Sequence, residues 1–206
     1  MTSRWLTVLG VALIVASPPV VAAGGPLGID YALKYDDAGI WNRSYGLDLE
    51  YAVLGTTAIG ALWLGNHDAL GHAFWQDIDA EAICAVAAEG LKHAFGRARP
   101  FQGNNPNIWF HRGYRSFPSG EVTLQAAFVT PIISGYIKQD PWIAALEVLP
   151  LYDAIARMKV HAHWQTDVIG GWLLGTGVGY WTSRLDVPLV VRPLPGGLTV
   201  GIATHF

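Results

Sequence analysis

The second apolar stretch of the chain ends in the sequence KHAFGRARP, residues 92–100. Lys92 and Arg99 are seven residues apart, so on a continuous helix their side chains point to one face. Pro100 disfavours helical backbone at the residue before it, so we expect the helix to end there. The planar guanidinium of arginine matches phosphate oxygens. The stretch therefore predicts a helix end at which two cations can meet a single anion.

The segment around this stretch is basic, although the chain as a whole is not. Residues 90–120 contain no Asp or Glu but include five cations: Lys92, Arg97, Arg99, Arg112 and Arg115. The formal net charge of the chain is −3, so no global basic field would recruit nucleic acid. Local positive charge in a net-negative protein suits an anionic ligand. The alternative is a solvated basic loop.

Further outward, the chain alternates apolar stretches with polar connections. Five stretches have helix length and end at Gly, Pro or a polar cluster, near residues 48–65, 79–96, 121–138, 142–156 and 165–183. The polar segment between the second and third is long, as functional loops often are. Two β-prone runs, Val187–Arg192 and Leu198–Thr204, flank Pro195-Gly196-Gly197 and predict a hairpin. We expect an all-α bundle of about five to six helices with a short C-terminal β-hairpin.

The N-terminus has the layout of a secretory signal peptide. A short positive segment precedes 12 apolar residues at positions 5–16, and small residues lead to Ala23 and Gly24. We predict cleavage after Ala23, which makes residues 1–23 a signal peptide and residues 24–206 a single phosphate-handling helical domain. An uncleaved anchor helix is the alternative. Cys84 is the single cysteine, so it cannot form an intrachain disulfide, and we expect it to be buried.

The apolar stretches contain charges that argue against a membrane-spanning arrangement. Glu81 and Asp153 lie well inside two of them, and such charges are costly in a bilayer unless they face the bundle interior. We therefore expect an exported protein of the periplasm or cell envelope, with contact to a membrane surface. An integral inner-membrane protein is the alternative, and residues 47–65 are its best candidate span.

Two further segments contain residues suited to phosphate chemistry. Ser119 and Gly120 stand where the third helix begins, and the free N–H groups of a helix start can hold an anion. His163 and Asp167 are four residues apart, which places them on one helix face. An Asp bonded to one ring nitrogen leaves the other free as a nucleophile or base. His161 and His163 lack further ligands at metal spacing, so we predict no metal site and no cofactor.

These segments resemble the three motifs of the type 2 phosphatidic acid phosphatase superfamily, which includes bacterial acid phosphatases and vanadium-dependent haloperoxidases. The first motif, Lys, six residues and Arg-Pro, matches residues 92–100 completely. The second, Pro-Ser-Gly-His, matches residues 118–121 except at Glu121. The third, Ser-Arg, five residues, His, three residues and Asp, matches residues 156–167 except at Ala156.

The resemblance implies a role for each matching residue. His163 would attack phosphorus and form a phosphohistidine, with Asp167 orienting its ring. The phosphate oxygens would be held by the set Lys92, Arg99, Ser119, Gly120 and Arg157. Such electrostatic stabilisation needs no metal. The family's helical bundle also agrees with the helices predicted above.

Glu121 replaces the histidine that in this family protonates the leaving oxygen. A carboxylic acid can do this work, but its reference pKa is about 4.3 against about 6.5 for histidine. Three interpretations stay open: protonated Glu121 is the general acid, another acid such as His111 or His161 takes over, or the protein binds phosphate with little turnover. Ala156 replaces the serine of the third motif, which removes one hydrogen bond to phosphate.

Two functions from different classes therefore remain. The first is an exported, metal-independent phosphatase acting on a phosphomonoester or pyrophosphate, either a small molecule or a lipid. The second is a catalytically weak or inactive envelope protein that binds phosphate or lipid on the same scaffold. A vanadium haloperoxidase is disfavoured by the short chain and the missing second-motif histidine.

Overall fold

The computed structural model describes residues 24–185, 191–194 and 197–200. Across these residues the chain forms five α-helices: α1 (Arg43–Leu64), α2 (Ala69–Phe95), α3 (Gly120–Tyr136), α4 (Val148–Lys159) and α5 (Gln165–Thr182). Three short 3-10 helices accompany them, at Gly39–Trp41, Pro100–Gln102 and Pro141–Glu147. The predicted helical bundle is confirmed, and the basic segment after α2 is the long connection to α3.

Helix α3 lies at the centre of the bundle and contacts the other four α-helices. Its residues 122–132 are almost all buried, which explains why this stretch is apolar all round. Phe128, Val129 and Ile132 pack with Phe74 and Trp75 of α2. The extensive contact between α3 and α5 depends on small residues, because Gly171, Gly175 and Gly179 are buried against α3.

The end of α2 turns the chain toward the site. Gly96 adopts a left-handed backbone with φ of 42° and its N–H bonds to the carbonyl of Lys92. A Cβ at this position would lie 2.5 Å from the carbonyl oxygen of His111, so the close approach of the two segments also requires glycine. The helix thus ends at Phe95, four residues before Arg99, where Pro100 alone would end it. Lys92 stands in the last turn and Arg99 in the loop beyond it.

Helix α1 has one buried face and one exposed apolar face. Val53, Thr57 and Ala61 face the bundle. Large apolar side chains on the other face are exposed, among them Tyr51, Ile59, Leu62 and Trp63, the last at 85%. In the part of the chain that the structure describes, α1 is the single helix long and apolar enough to cross a membrane.

The C-terminal region and the N-terminus are described only in part. Strands β1 (Val191–Leu194) and β2 (Gly197–Val200) pair antiparallel, with Val191 opposite Val200. The expected turn residues Pro195 and Gly196 lie outside the described residues, so the complete hairpin stays a prediction. The predicted signal peptide, residues 1–23, also lies outside them. Cys84 is fully buried and unpaired, as predicted.

Candidate active site

One cavity of about 250 Å3 opens where the motif segments meet. It is lined by side chains from α1, α2, the α2–α3 loop, α3 and the α4–α5 loop: Glu50, Ala85, Ala88, Lys92, Arg99, Gly120, Glu121, Leu124 and His163. Five of the eight site residues predicted from the sequence are in this lining. The other three, Ser119, Arg157 and Asp167, are buried behind it.

The ring of His163 is buried and held in one orientation. Its Nδ1 lies 2.7 Å from the backbone carbonyl oxygen of Ser116 and donates to it. Nε2 makes no hydrogen bond to another described residue, so it is the nitrogen free to act in the cavity. Burial lowers the pKa of His163, although Asp167 favours the charged form, so the imidazole is neutral down to acidic pH. A neutral imidazole with a free Nε2 has the lone pair that a nucleophile needs.

Asp167 supports His163 mainly through Ser116. Its Oδ2 is 3.8 Å from His163 Nδ1, which is longer than a hydrogen bond. The same Oδ2 accepts at 2.5 Å from the Ser116 hydroxyl, whose own carbonyl holds the imidazole. It also accepts from the backbone N–H of Trp164, at 2.9 Å. The expected direct bond between Asp167 and the ring is thus replaced by a link through one serine.

Arg97 is part of the basic segment but is not available to an anion. Its guanidinium is fully buried between two carboxylates, with 2.5 Å to Asp167 Oδ1 and 2.5 Å to Asp30 Oδ2. Asp30 also accepts from the N–H of Thr166 at 2.8 Å, where α5 begins. Arg97 therefore fixes Asp167 in place, and the phosphate site keeps Lys92 and Arg99 as its cations.

Lys92 and the start of α3 form one anion-binding corner. A Cβ on Gly120 would lie 2.8 Å from Lys92 Nζ, so the ammonium group lies directly against the start of α3. The first amides of a helix have no intrahelical acceptor and attract negative charge. Ser119 occupies the N-cap position, but its hydroxyl makes no capping bond and has no partner among the described residues. Its N–H bonds at 3.0 Å to the carbonyl of Asp167, which ties α3 to α5.

Glu121 is held by two arginines. Arg43 binds both of its carboxylate oxygens, at 2.6 and 2.8 Å, and Arg157 Nε lies 3.4 Å from Oε2. Bidentate pairs of arginine and carboxylate are among the strongest charge-assisted hydrogen bonds in proteins. Glu121 therefore stands in the cavity wall as an anion that partly neutralises Arg43 and Arg157.

His111 and His161, the alternative acids, lie elsewhere. His111 is exposed and stacks on Tyr114. His161 lies 2.6 Å from the carbonyl of Leu33 through Nε2. Neither is among the residues lining the cavity.

Sequence reasoning missed four residues that build the site: Asp30, Arg43, Glu50 and Ser116. Asp30, Arg43 and Glu50 precede the motifs by 40 residues or more, so no spacing connects them to the motifs. Ser116 acts partly through its backbone carbonyl, which leaves no trace in the residue type. Across the described ranges no group of three or more His, Cys, Asp or Glu side chains could hold a metal ion.

The site places a free histidine nitrogen beside Lys92, Arg99 and a helix start. The match of the sequence to a known family agrees with this arrangement. The family model of the PAP2 superfamily matches residues 79–188, more than half of the chain. The chain belongs to the PAP2 superfamily. The resemblance drawn from the three motifs is confirmed. Asp30, Arg43 and Glu50 all lie before the matched region of this PAP2 chain.

Two curated relatives resemble this PAP2 chain over part of its length. An undecaprenyl-diphosphatase from Sulfolobus acidocaldarius is 27% identical over 108 residues, which are 50% of this chain and 50% of that protein. A lipid A 1-phosphatase from Porphyromonas gingivalis is 29% identical over 125 residues, which are 59% of this chain and 26% of that protein. The chain thus spans about half the length of the first relative and about a quarter of the second.

A solved structure shares the fold. It is the crystal structure of a transmembrane PAP2-type phosphatidylglycerolphosphate phosphatase from Bacillus subtilis. The two structures agree with a TM-score of 0.52 at 19% identity, over 71% of this chain and 77% of the other. At this identity the likeness establishes the helical PAP2 fold.

Proposed function

We propose that this protein is a metal-independent phosphatase that hydrolyses a phosphomonoester or a diphosphate through a phosphohistidine on His163. The single observation behind the proposal is that His163 lines a cavity into which Lys92, Arg99 and the start of α3 direct positive charge. A phosphoryl group is the ligand that this arrangement suits best, because its equatorial oxygens gain charge stabilisation while phosphorus meets a nucleophile.

In this mechanism each residue has one task. His163 Nε2 attacks phosphorus, and its Nδ1–H stays bonded to Ser116. Asp167, held by Arg97 and Ser116, stabilises the positive charge that develops on the ring. Lys92, Arg99 and the first amides of α3 bind the phosphate oxygens, with Arg157 behind Glu121 adding to the positive field. That Glu121 protonates the leaving oxygen stays a prediction, and its bond to Arg43 disfavours that role.

We further propose that the substrate is a lipid phosphate and that the protein is integral to a membrane. The two curated relatives are named for lipid-linked phosphates, and the solved relative is described as transmembrane. The polar groups that favoured an exported soluble bundle, such as Glu81, Gln125 and Asp153, are buried inside this bundle. Buried charges of this kind are compatible with helices in lipid. The exported periplasmic form stays the alternative prediction.

The second candidate function is a phosphate- or lipid-binding protein with little turnover. The observation that favours it is the salt bridge of Glu121 with Arg43, because a carboxylate fixed as an anion cannot donate a proton where the family uses histidine. An anion there would also repel a phosphate dianion.

The test is phosphate release from a panel of lipid and soluble phosphates by the purified protein. We expect wild type to release phosphate, His163→Ala to release none, and His93→Ala to match wild type. His93 is the matched control because it is an exposed histidine at the end of α2, outside the cavity lining. Quenched wild-type enzyme should also hold phosphate that is stable in base and labile in acid.

Two outcomes would contradict the proposal. Unchanged release by His163→Ala would exclude this nucleophile. If the wild type releases no phosphate from any substrate and Glu121→His is active, the wild type is a phosphate-binding protein. Its lack of turnover is then explained by the missing histidine of the family.

A further inference from the structure

We propose that Glu50 is the general acid and base of this site: it protonates the leaving oxygen and then takes a proton from the attacking water. The inference rests on the proposed phosphatase function. It assigns the missing acid to α1, a helix that lies before the region matched by the PAP2 superfamily.

The position of Glu50 fits the role. It is half-buried and lines the same cavity as His163, Lys92 and Arg99. It comes from α1, whereas the nucleophile comes from the α4–α5 loop, and both line the cavity that would receive the phosphoryl group. A carboxylic acid on the inner side of an apolar helix is costly unless it faces such a cavity, and this placement is typical of a functional group.

Glu50 also differs from Glu121 in its partners. Glu121 is fixed by Arg43 on both oxygens, whereas Glu50 makes no hydrogen bond or salt bridge within the described part of the chain. Glu50 is therefore the cavity carboxyl that is free to exchange a proton.

The charges facing Glu50 have opposing effects on its ionisation. The anion of Glu121 on α3 disfavours a second negative charge on Glu50, while Arg43 on α1, Arg157 on α4 and Lys92 on α2 favour it. A bound phosphate dianion adds negative charge to the same space, so substrate binding itself promotes protonation of Glu50.

The two steps balance as follows. His163 Nε2 forms a bond to phosphorus while the bond from phosphorus to the leaving oxygen breaks, and that oxygen keeps the electron pair and receives the proton of Glu50. Water then attacks phosphorus, giving its proton to the Glu50 carboxylate, and the phosphorus–nitrogen bond breaks with the electron pair returning to Nε2. The products are the alcohol, or the lower phosphate, and inorganic phosphate, and Glu50 is protonated again.

The experiment compares an alkyl phosphate with 2,4-dinitrophenyl phosphate, whose leaving group needs no proton. We expect Glu50→Gln to lose ~10²-fold or more of wild-type turnover on the alkyl phosphate, the usual contribution of general acid catalysis. On the dinitrophenyl ester the same variant should release one equivalent of dinitrophenolate in a burst and then accumulate phosphoenzyme, because water lacks its base. Glu50→Asp should recover part of the alkyl phosphate activity.

Two variants serve as comparisons. Asp48→Asn, an exposed acid two residues away on α1, should match wild type on both substrates. Glu121→Gln should lose activity on both substrates without a burst of dinitrophenolate, since it weakens the contacts that hold Arg43 and Arg157 at the cavity wall and leaves proton transfer intact. Circular dichroism would establish that each variant keeps its helical content.

Failure of this inference differs from failure of the proposed function. If wild type turns over and depends on His163, but Glu50→Gln is as active as wild type, or loses turnover on both substrates without a burst of dinitrophenolate, the role of Glu50 is excluded. If the loss that depends on the leaving group appears in Glu121→Gln instead, Glu121 is the acid. A wild type silent on every phosphate overturns both proposals.

Discussion

At the residue scale, the environment of Arg97 decides how the nucleophile is held. Every nitrogen of its guanidinium has an acceptor among Asp30, Pro106, Thr166 and Asp167. The ring of Trp109 lies 4.3 Å from the guanidinium carbon. A buried ion pair is costly to desolvate, and full satisfaction of its donors is what offsets that cost. The cluster holds Asp167, and through Ser116 it holds His163.

We predict that Asp30→Asn destabilises the protein and slows it. The substitution leaves Arg97 with one carboxylate instead of two in a fully buried site, and breaking such a pair costs roughly 3–5 kcal/mol. Turnover should fall as well, because Asp167 then loses its fixed position. Chemical denaturation and steady-state kinetics measure the two effects.

The control for this prediction is Asp36→Asn. Asp36 lies in the same N-terminal segment, and its partner Lys159 is 3.9 Å away at the surface. Surface pairs contribute about 0–1 kcal/mol, so the two aspartates should differ clearly. Equal stability of the two variants would show that Asp30 is not needed to balance the buried positive charge of Arg97.

At the element scale, the contact between α3 and α5 positions both halves of the site. Helix α3 begins with Gly120 and Glu121, while α5 begins just after His163 and includes Asp167. The helices approach closely because α5 presents glycine at every fourth position to α3. A change in their separation would therefore move the anion-binding amides relative to the nucleophile.

We predict opposite effects for two alanine substitutions in α5. A Cβ on Gly175 would meet the carbonyl oxygen of Thr123 and lie 2.8 Å from Ala126 Cβ, so Gly175→Ala should lower stability by about 1–3 kcal/mol through overpacking. A Cβ on Gly177 meets nothing within 4 Å, so Gly177→Ala should raise stability by about 0.5–1 kcal/mol through helix propensity.

Thermal unfolding and phosphate release decide this prediction together. Gly175→Ala should also reduce turnover, whereas Gly177→Ala should leave it unchanged. Two variants with the same melting temperature would contradict close packing of α5 on α3.

At the scale of the whole molecule, the exposed apolar face of α1 supports the proposed membrane location. One side of the 22-residue helix α1 exposes the apolar side chains of Tyr51, Ile59, Leu62 and Trp63, and the other side packs against the bundle. Exposed apolar area of this extent is unusual for a soluble monomer. A bilayer would cover it, and Glu50 on the opposite side would then face the cavity.

We predict that a chain starting at Gly24 stays in the membrane pellet through an alkaline carbonate wash. Helix α1 alone should suffice for retention, because a span needs ~20 predominantly apolar residues. Ile59→Lys, which places a charge on the exposed face, should weaken retention, whereas Ser44→Lys at the start of the helix should not. Release of the Gly24 chain into the wash would contradict the membrane location and favour the alternative prediction of an exported soluble protein.

The sequence by itself determined the number of α-helices, their approximate places and the family, although α2 begins at Ala69 rather than near residue 79 and the stretch 142–156 divides into a 3-10 helix and α4. Helix periodicity and breakers such as Pro100 are local, so they can be read along the chain. The motif residues Lys92, Arg99, Gly120 and His163 were likewise recognisable, because their spacing repeats a family pattern. Ser119 stands at the predicted helix start as the N-cap residue of α3, and its backbone rather than its hydroxyl makes the contacts there.

Only the tertiary structure decided what these residues meet. Arg97 is chemically identical to Arg99, yet it is neutralised by Asp30, which is 67 residues away in the chain. Glu121 was one of three candidates for the acid, and Arg43, 78 residues away in the chain, pairs with both of its oxygens, which leaves Glu50 as the cavity carboxyl without such a partner. The charge state and availability of an ionisable group depend on burial and on neighbours within a few ångströms. Those neighbours come from distant segments, and no local pattern in the sequence specifies them.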